Sequence, residues 1–442
     1  MSATSVPVVF VVPGTAESRE SGVRSTVQMA LKKHFADLPV DVYKPLLVRD
    51  LVFGTRLPCD VFVRENGIMK RLFNRGMIYC PYAEKILTQK SVREIYYQER
   101  KKTVVEQYVA GERQEEKINI DPAVFRAYAS ERERYFQVER TLLIEGSDVG
   151  FCLYLLADLQ YRLLLEASEK EPARIDTAVL SVPGEILIRQ DDVRLYNEYL
   201  QSIRTMRHLP QEESTKVEAL LVKESSKLVI KEILDDPRSG EMVKQVGNEI
   251  EQIVDLIFRK NTVLFDMLEL QKYDYFTYTH SVDVAVMSVA LGRAMNMDRD
   301  KLEKLGMGAM LHDIGKSVID HDIVCKQGGL NNTEYLQIKK HVLEGVRLLR
   351  DQKDFPEESM PAVLQHHERL TGRGYPLGLS GEVVSLFGRI TSIVDCYDAL
   401  TTERPYKHAF TPYYSLSIMV KEKKDYDCDI LTEFVEMLGN VH

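Results

Sequence analysis

Apolar and polar positions change rhythm at about residue 210. Before it, short apolar runs alternate with charged stretches, which predicts strands and short helices. Val8 to Val12, halted by Pro13-Gly14, reads as a buried strand and Arg24 to His34 as a helix. Val40 to Tyr43 and Asp60 to Val63 read as strands, Ala83 to Gln89 as a helix. Residues 99–117 are dense in charge and read as a solvated helical connector. Thr177 to Val182 and Glu185 to Ile188 continue the mixed texture. Gly76-Met-Ile-Tyr and Gly184-Glu-Ile-Leu, each ahead of an acidic stretch, form a faint internal echo. The first strand ends without an acidic cluster, which argues against a phosphate-accepting receiver domain.

After residue 210 apolar residues recur every three or four positions. Leu220 to Leu234 keeps that spacing and stops at Asp235-Asp236-Pro237. Val282, Ala285, Val286, Val289 and Ala290 form one stripe directly after His280. Asp300 with Glu303 makes a capping pair for a helix that runs into His312-Asp313. Ile338, His341, Val342 and Gly345 share a face of the next helix. Pro361 starts a short helix ending at His366-His367-Glu368, and Ser385 to Leu400 forms another carrying Asp395. The expected chain has two parts: a mixed α/β region over 1–210, divisible into 1–98 and 118–205, and an all-α bundle over 217–442.

Charge and cysteine usage narrow the function classes. The chain has 58 basic and 67 acidic residues, a net charge of -9, which argues against a surface for a nucleic-acid polymer. No apolar run approaches the roughly 20 residues a membrane helix needs. The most apolar stretch, Phe151 to Ala167, is broken by Asp158, Gln160 and Arg162. Six scattered cysteines contain no CxxC pair, so neither a disulfide framework nor a zinc knuckle is indicated. No signal-peptide pattern opens the chain, and a cytoplasmic location is expected.

Chemistry concentrates between His280 and Asp395. His280, His312-Asp313, His341, His366-His367 and Asp395 are seven candidate ligands, and eight of the ten histidines lie at or beyond position 280. Imidazole and carboxylate together suit iron, manganese, nickel or zinc, and seven ligands are too many for one ion. Two cations about 3.5–4 Å apart hold phosphate oxygens and activate water at neutral pH. Asp313, between two histidine clusters, is the natural bridge. Lys316, three residues on, is close enough to face the same cavity, where it would neutralise a phosphate oxygen or protonate a leaving oxygen.

His312-Asp-Ile-Gly-Lys316, His366-His-Glu-Arg-Leu-Thr-Gly-Arg-Gly-Tyr-Pro376 and Asp395-Cys-Tyr-Asp-Ala-Leu-Thr-Thr-Glu-Arg-Pro-Tyr-Lys407 follow one another in order. Together they closely resemble the HD-GYP family, metal-dependent phosphodiesterases that open cyclic di-GMP, some acting on cyclic GMP-AMP, with linear pGpG or GMP as the expected product. The resemblance covers roughly residues 217–442. It implies an all-α HD-GYP bundle with two divalent metal ions, iron expected and manganese or nickel as substitutes. By the resemblance His280, His312, Asp313 and Asp395 form one metal site, and Asp313, His341, His366 and His367 the second.

The same resemblance gives Lys316 a catalytic role, Arg404 and Lys407 a grip on substrate phosphate or guanine, and Tyr375 a place lining the substrate. Asp398, on the helix face of Asp395, would orient Arg404. Two departures stand out. The family usually has Asp where this chain has Thr371, with Arg373 adding a cation nearby. Members with a third ion carry Glu where this chain has Phe276, so two ions are expected. Residues 1–210 are left as a regulatory or homodimer-forming module. A dinucleotide receptor without turnover and a phosphohydrolase for another nucleotide are the competing functions.

Overall fold

The computed structural model of the chain describes residues 43–52, 55–65, 68–73, 79, 87, 92–110, 131, 134–157, 160–205, 211–259, 277–324, 326, 330–402 and 410–439. The strand expected at Val8–Val12, the helix at Arg24–His34 and most of Ala83–Gln89 lie outside them. So do Phe276, Arg404 and Lys407.

Alternating apolar residues build the first described unit. Strands β1 (Tyr43–Leu47), β2 (Val61–Glu65), β3 (Ile68–Phe73) and β4 (Glu94–Gln98) pair antiparallel in the order β1-β4-β2-β3. Helix α1 (Lys102–Val109) follows and buries Val105 and Tyr108, so this part of the charge-dense segment packs on the sheet, while residues 111–117 lie outside the described residues. Its charges occupy one face of a short amphipathic helix; sequence density averaged over both faces hid the other.

A second sheet repeats the first. Strands β5 (Tyr135–Gln137), β6 (Leu153–Ala157), β7 (Gln160–Leu165) and β8 (Glu185–Arg189) pair antiparallel in the order β5-β8-β6-β7, and α2 (Val193–Thr205) follows. Strand starts recur 92 residues apart (Tyr43 and Tyr135, Val61 and Leu153, Ile68 and Gln160), then 91 apart (Glu94 and Glu185). Detail recurs too. The Tyr108 hydroxyl accepts from the Val52 amide at 2.9 Å and meets Thr55 Oγ1 at 2.8 Å. The Tyr199 hydroxyl accepts from the Ile144 amide at 2.9 Å and meets Ser147 Oγ at 3.0 Å. Tyr43 packs edge-on against Phe62 at 4.8 Å, and Tyr135 against Tyr154 at 5.1 Å. The echo in the sequence is therefore real in topology but has another register: Gly184, which precedes β8, corresponds to Arg93 and not to Gly76.

The helical part starts with α3 (Gln211–Asp235) and α4 (Gly240–Arg259). It continues with α5 (Thr277–Ala294), α6 (Arg299–Met310), α7 (Asn332–Leu349) and α8 (Met360–Gln365). Helices α9 (Leu386–Thr401), α10 (Pro412–Lys421) and α11 (Cys428–Gly439) complete it. Every residue from Tyr278 to Leu291 is buried, so α5 is the central helix, packed by α3, α6 and α9. The cap of α6 is Asp298, whose carboxylate accepts from the Lys301 amide at 3.0 Å; the expected Asp300 sits inside the first turn. Both positions suit a carboxylate at a helix N-terminus, and spacing alone does not choose between them. Among the described residues no helix is long and apolar enough to cross a membrane.

The cores do not divide where secondary-structure class changes. One hydrophobic core runs from Phe136 to Leu438, joining the second sheet and α2 to the helical bundle. The first sheet keeps its own core around Leu57, Val61, Phe73 and Ile95. At the seam Phe136 stacks on Tyr278 of α5 at 5.9 Å. Buried charges there are paired, as burial requires. Lys223 reaches Asp283 at 2.8 Å, Lys227 reaches Glu224 at 3.0 Å, and the Tyr196 hydroxyl lies 3.2 Å from Glu224.

Candidate metal centre

Five elements bring the seven expected side chains to one point. His280 comes from the first turn of α5, and His312-Asp313 from the turn ending α6. His341 comes from the middle of α7, His366-His367 from the end of α8 and Asp395 from α9. All but His367 are buried. The turn after Asp313 lies so close to α7 that a Cβ on Gly315 would meet the His341 carbonyl oxygen at 1.9 Å. Glycine is required there for the two ligand-bearing segments to meet.

Hydrogen bonds fix which nitrogen points inward. Nδ1 of His312 faces the Ala309 carbonyl at 2.7 Å, Nδ1 of His341 the Ile338 carbonyl at 2.6 Å, and Nδ1 of His366 the Val363 carbonyl at 2.8 Å. A carbonyl only accepts, so each Nδ1 carries the proton and each Nε2 presents a lone pair to the centre. His280 Nδ1 lies 2.6 Å from Asp398 Oδ2. The Asp398 carboxylate also accepts from Thr402 Oγ1 at 3.1 Å. Its role next to His280 is thus visible, whereas the expected partner Arg404 is outside the described residues.

Two half-sites meet at Asp313. Oδ2 of Asp313 is 3.7 Å from His280 Nε2 and 3.4 Å from His312 Nε2, and Asp395 Oδ1 is 3.2 Å from His280 Nε2. Oδ1 of Asp313 is 3.2 Å from His341 Nε2 and 3.9 Å from His366 Nε2. His367 Nδ1 sits 3.8 Å from Asp395 Oδ2. Both groups, His280-His312-Asp313 and His341-His366-His367, are close enough to hold an ion.

Electrostatics fit a cation. His341 Nε2 and His366 Nε2 are 3.2 Å apart, two lone pairs facing each other. The inner atoms His312 Nε2 and Asp313 Oδ1 are buried without a hydrogen-bond partner. A cation between such groups would take up their electron density and offset the cost of burying them unpaired. Burial, reinforced by the neighbouring imidazoles, holds His366 well below its ordinary range. Burial lowers His367 to about 3 against the pull of Asp395. At His280 burial is outweighed by Asp395 and Asp398, which raise the imidazole to about 9. Burial opposes ionisation of Asp313 and Asp395, but Lys316 with His312 at the first, and His280 at the second, hold both well below the usual carboxylate range. His366 and His367 held neutral and both carboxylates held ionised are in the forms a metal ligand takes, whereas His280, charged next to Asp395 and Asp398, gives up a proton on binding.

The remaining candidates ring this centre. Lys316 Nζ contacts Asp313 Oδ2 directly. Tyr375 lays its ring on His367 at 4.6 Å. Arg373 pairs with Asp425 at 3.1 Å, and Thr371 Oγ1 donates to the same carboxylate at 2.5 Å. The carboxylate absent at position 371 is thus supplied to the loop by Asp425. Sequence reading missed Glu368. It is buried and accepts from the amides of Leu377 at 2.7 Å, Gly378 at 3.1 Å and Leu379 at 2.9 Å, which ties the Gly-Tyr-Pro loop to the histidine pair. Its place directly after His367 was the available signal.

A helical bundle with adjacent His-Asp ligands at its centre defines the HD class of metal-dependent hydrolases. The model of the HD domain matches residues 259–430. The chain is 30% identical over 292 residues to a cyclic di-GMP phosphodiesterase of Pseudomonas aeruginosa, covering 66% of this chain and 69% of that protein. It is 35% identical over 148 residues to the 3'3'-cGAMP-specific phosphodiesterase 1 of Vibrio cholerae, covering 33% of this chain and 34% of that one. Bd1817, an HDG"Y"P protein from Bdellovibrio bacteriovorus, shares the fold with a TM-score of 0.53 at 20% identity, over 69% of this chain and 99% of its own. With the three sequence motifs in order, this chain belongs to the HD-GYP family of phosphodiesterases.

Proposed function

We propose that this chain hydrolyses a phosphodiester bond of a cyclic dinucleotide, with cyclic di-GMP as the leading substrate, giving linear pGpG or GMP. The observation that carries the reading is the inward-facing set of imidazole lone pairs around the two oxygens of Asp313. Two divalent ions, iron with manganese or nickel as substitutes, would be held by His280, His312, Asp313 and Asp395 on one side and by Asp313, His341, His366 and His367 on the other. Bound there, such ions supply Lewis acidity toward phosphate oxygens and a lowered pKa for water.

The chain's own residues do the rest. Asp313 stays ionised and faces both half-sites, while Asp398 keeps the His280 proton on Nδ1. Lys316, in contact with Asp313, is the cation within reach of a leaving oxygen and would protonate it. Tyr375 bounds the cavity next to His367, and Glu368 keeps its loop in register. Arg404, Lys407 and Arg373 would take the remaining phosphate and guanine contacts. Cytoplasmic action, and a regulatory or dimer-forming role for residues 1–210, belong to the same proposal.

Anaerobic turnover of cyclic di-GMP and cyclic GMP-AMP by iron- or manganese-loaded protein tests it, with Asp313→Ala as control. Linear product from the wild type alone is expected. Metal-loaded wild type that holds a dinucleotide and leaves it uncut would replace the enzyme by a receptor.

A further inference from the structure

Beside the candidate metal centre, α7 carries a cation that meets no carboxylate among the described residues. Tyr335 and Lys339 sit one turn apart on the same face of that helix. Lys339 Nζ lies 4.8 Å from the centre of the Tyr335 ring and 4.6 Å from that of Tyr375. Tyr375 in turn packs on His367 at 4.6 Å, so one aromatic ring separates the ammonium from the histidine cluster.

Two nearby cations are paired, whereas the adjacent Lys340, like Lys339, meets no acidic group among the described residues. Lys326 pairs with Glu334 at 2.6 Å and Arg347 with Glu344 at 3.0 Å. Among the described residues no acidic group pairs with Lys339, in a chain with 67 of them. Half-buried against two rings, the ammonium keeps its three N–H donors largely unspent, because a ring face attracts charge without accepting as a carboxylate does. Tyr335 is 47% exposed and offers its free surface at the same spot. A fixed ammonium wants an anion, and an exposed ring beside it suits a flat base.

We infer that Lys339 and Tyr335 form a substrate subsite at the lip of the metal centre. Lys339 takes the phosphate that is not being cut, and Tyr335 stacks against one purine of the cyclic dinucleotide. The inference rests on the proposed function for the identity of the ligand. Helix α7 then has a second role, because the element that supplies His341 inward also reads the far half of the substrate outward. Two phosphates in one small ring favour more than one cationic position, and Lys339 adds one on α7 to those proposed for Lys316, Arg373, Arg404 and Lys407.

The test uses the full manganese-loaded chain and a hydrolysis-resistant phosphorothioate of cyclic di-GMP, so that binding is read apart from turnover. Lys339→Met is expected to weaken binding about tenfold at low salt, the worth of one charged hydrogen bond. The gap should shrink at about 0.5 M salt, where the Debye length falls to a few ångströms. Lys339→Arg should restore affinity to within about threefold, since charge and reach are kept. Tyr335→Leu should weaken binding several-fold without altering its salt dependence. Equal binding by wild type and Lys339→Met would overturn the subsite. So would a loss that is the same at both salt levels and is not rescued by Arg, because that pattern reports packing. Wild type that binds the analogue but cleaves no cyclic dinucleotide would remove the enzymatic reading and leave the subsite to stand on the variants. Wild type that binds none would remove both.

Discussion

Three cluster histidines have their tautomer set by a backbone carbonyl three residues back, and His280 has it set by the Asp398 carboxylate. The difference has an energetic consequence. A carbonyl orients an imidazole; a buried carboxylate also makes it a stronger electron donor. Asp398→Asn keeps the acceptor oxygen and the volume while removing the charge. It should lower metal affinity roughly 10–100-fold, measured by titrating metal-free protein with manganese. Thermal stability should change little, since the amide still accepts from His280 and Thr402. Unchanged affinity would mean that Asp398 only fills space. At this scale the sequence was most legible for the inner ring of candidate ligands, several of which sit in short motifs whose spacing survives without a structure. Glu368 carried no such spacing, and Asp398, placed by its spacing from Asp395, was matched with Arg404: the partners His280 and the amides of Leu377 to Leu379 became neighbours only through the fold.

Helices were readable from the 3.6-residue rhythm because each buries one stripe, and α9 starts at its Ser385 cap as the pattern suggested. What the rhythm did not carry is how closely two helices approach. That distance is set by glycine. At Gly315 a methyl group would strike the His341 carbonyl at 1.9 Å and the Gly345 amide at 2.5 Å, both backbone atoms that cannot rotate away. Gly315→Ala should therefore cost at least about 3 kcal/mol, at the top of the overpacking range. It should also reduce metal binding, because the displaced turn carries His312 and Asp313. Gly247, inside α4, has nothing within 4 Å of the same added atom. Gly247→Ala should gain roughly 0.5–1 kcal/mol from reduced unfolded-state freedom. Urea unfolding of the two variants compares them directly. Equal stabilities would mean that the turn relaxes around the methyl and that close approach is not what glycine provides.

On the scale of the whole molecule, the unit that folds with the metal centre is larger than the helical bundle. Phe136, Tyr196, Leu200 and Ile203 from the second sheet and α2 lie in the same core as α3 and α5. The first sheet, of the same topology, keeps a separate core. Neither point could be read along the chain. The two sheets share an alternation pattern and two hydroxyl networks but few residues, and a shared core is a contact between segments far apart in sequence. The consequence can be tested by truncation. Covering α3 and α5 with those four large side chains is worth on the order of 6–12 kcal/mol, comparable to the whole stability of an ordinary domain. It also supplies the Tyr196 hydroxyl to buried Glu224 and the Phe136 ring to Lys227, whose ammonium lies 5.4 Å above it. A chain of residues 131–442 should unfold in one cooperative transition and bind manganese as the full chain does. A chain of residues 211–442 should aggregate or bind a hydrophobic dye strongly, although it keeps every candidate ligand. If the shorter chain is instead monomeric, with an unchanged melting temperature and metal affinity, the second sheet is an appendage on the bundle, and the shared core contributes nothing to holding His280 in place.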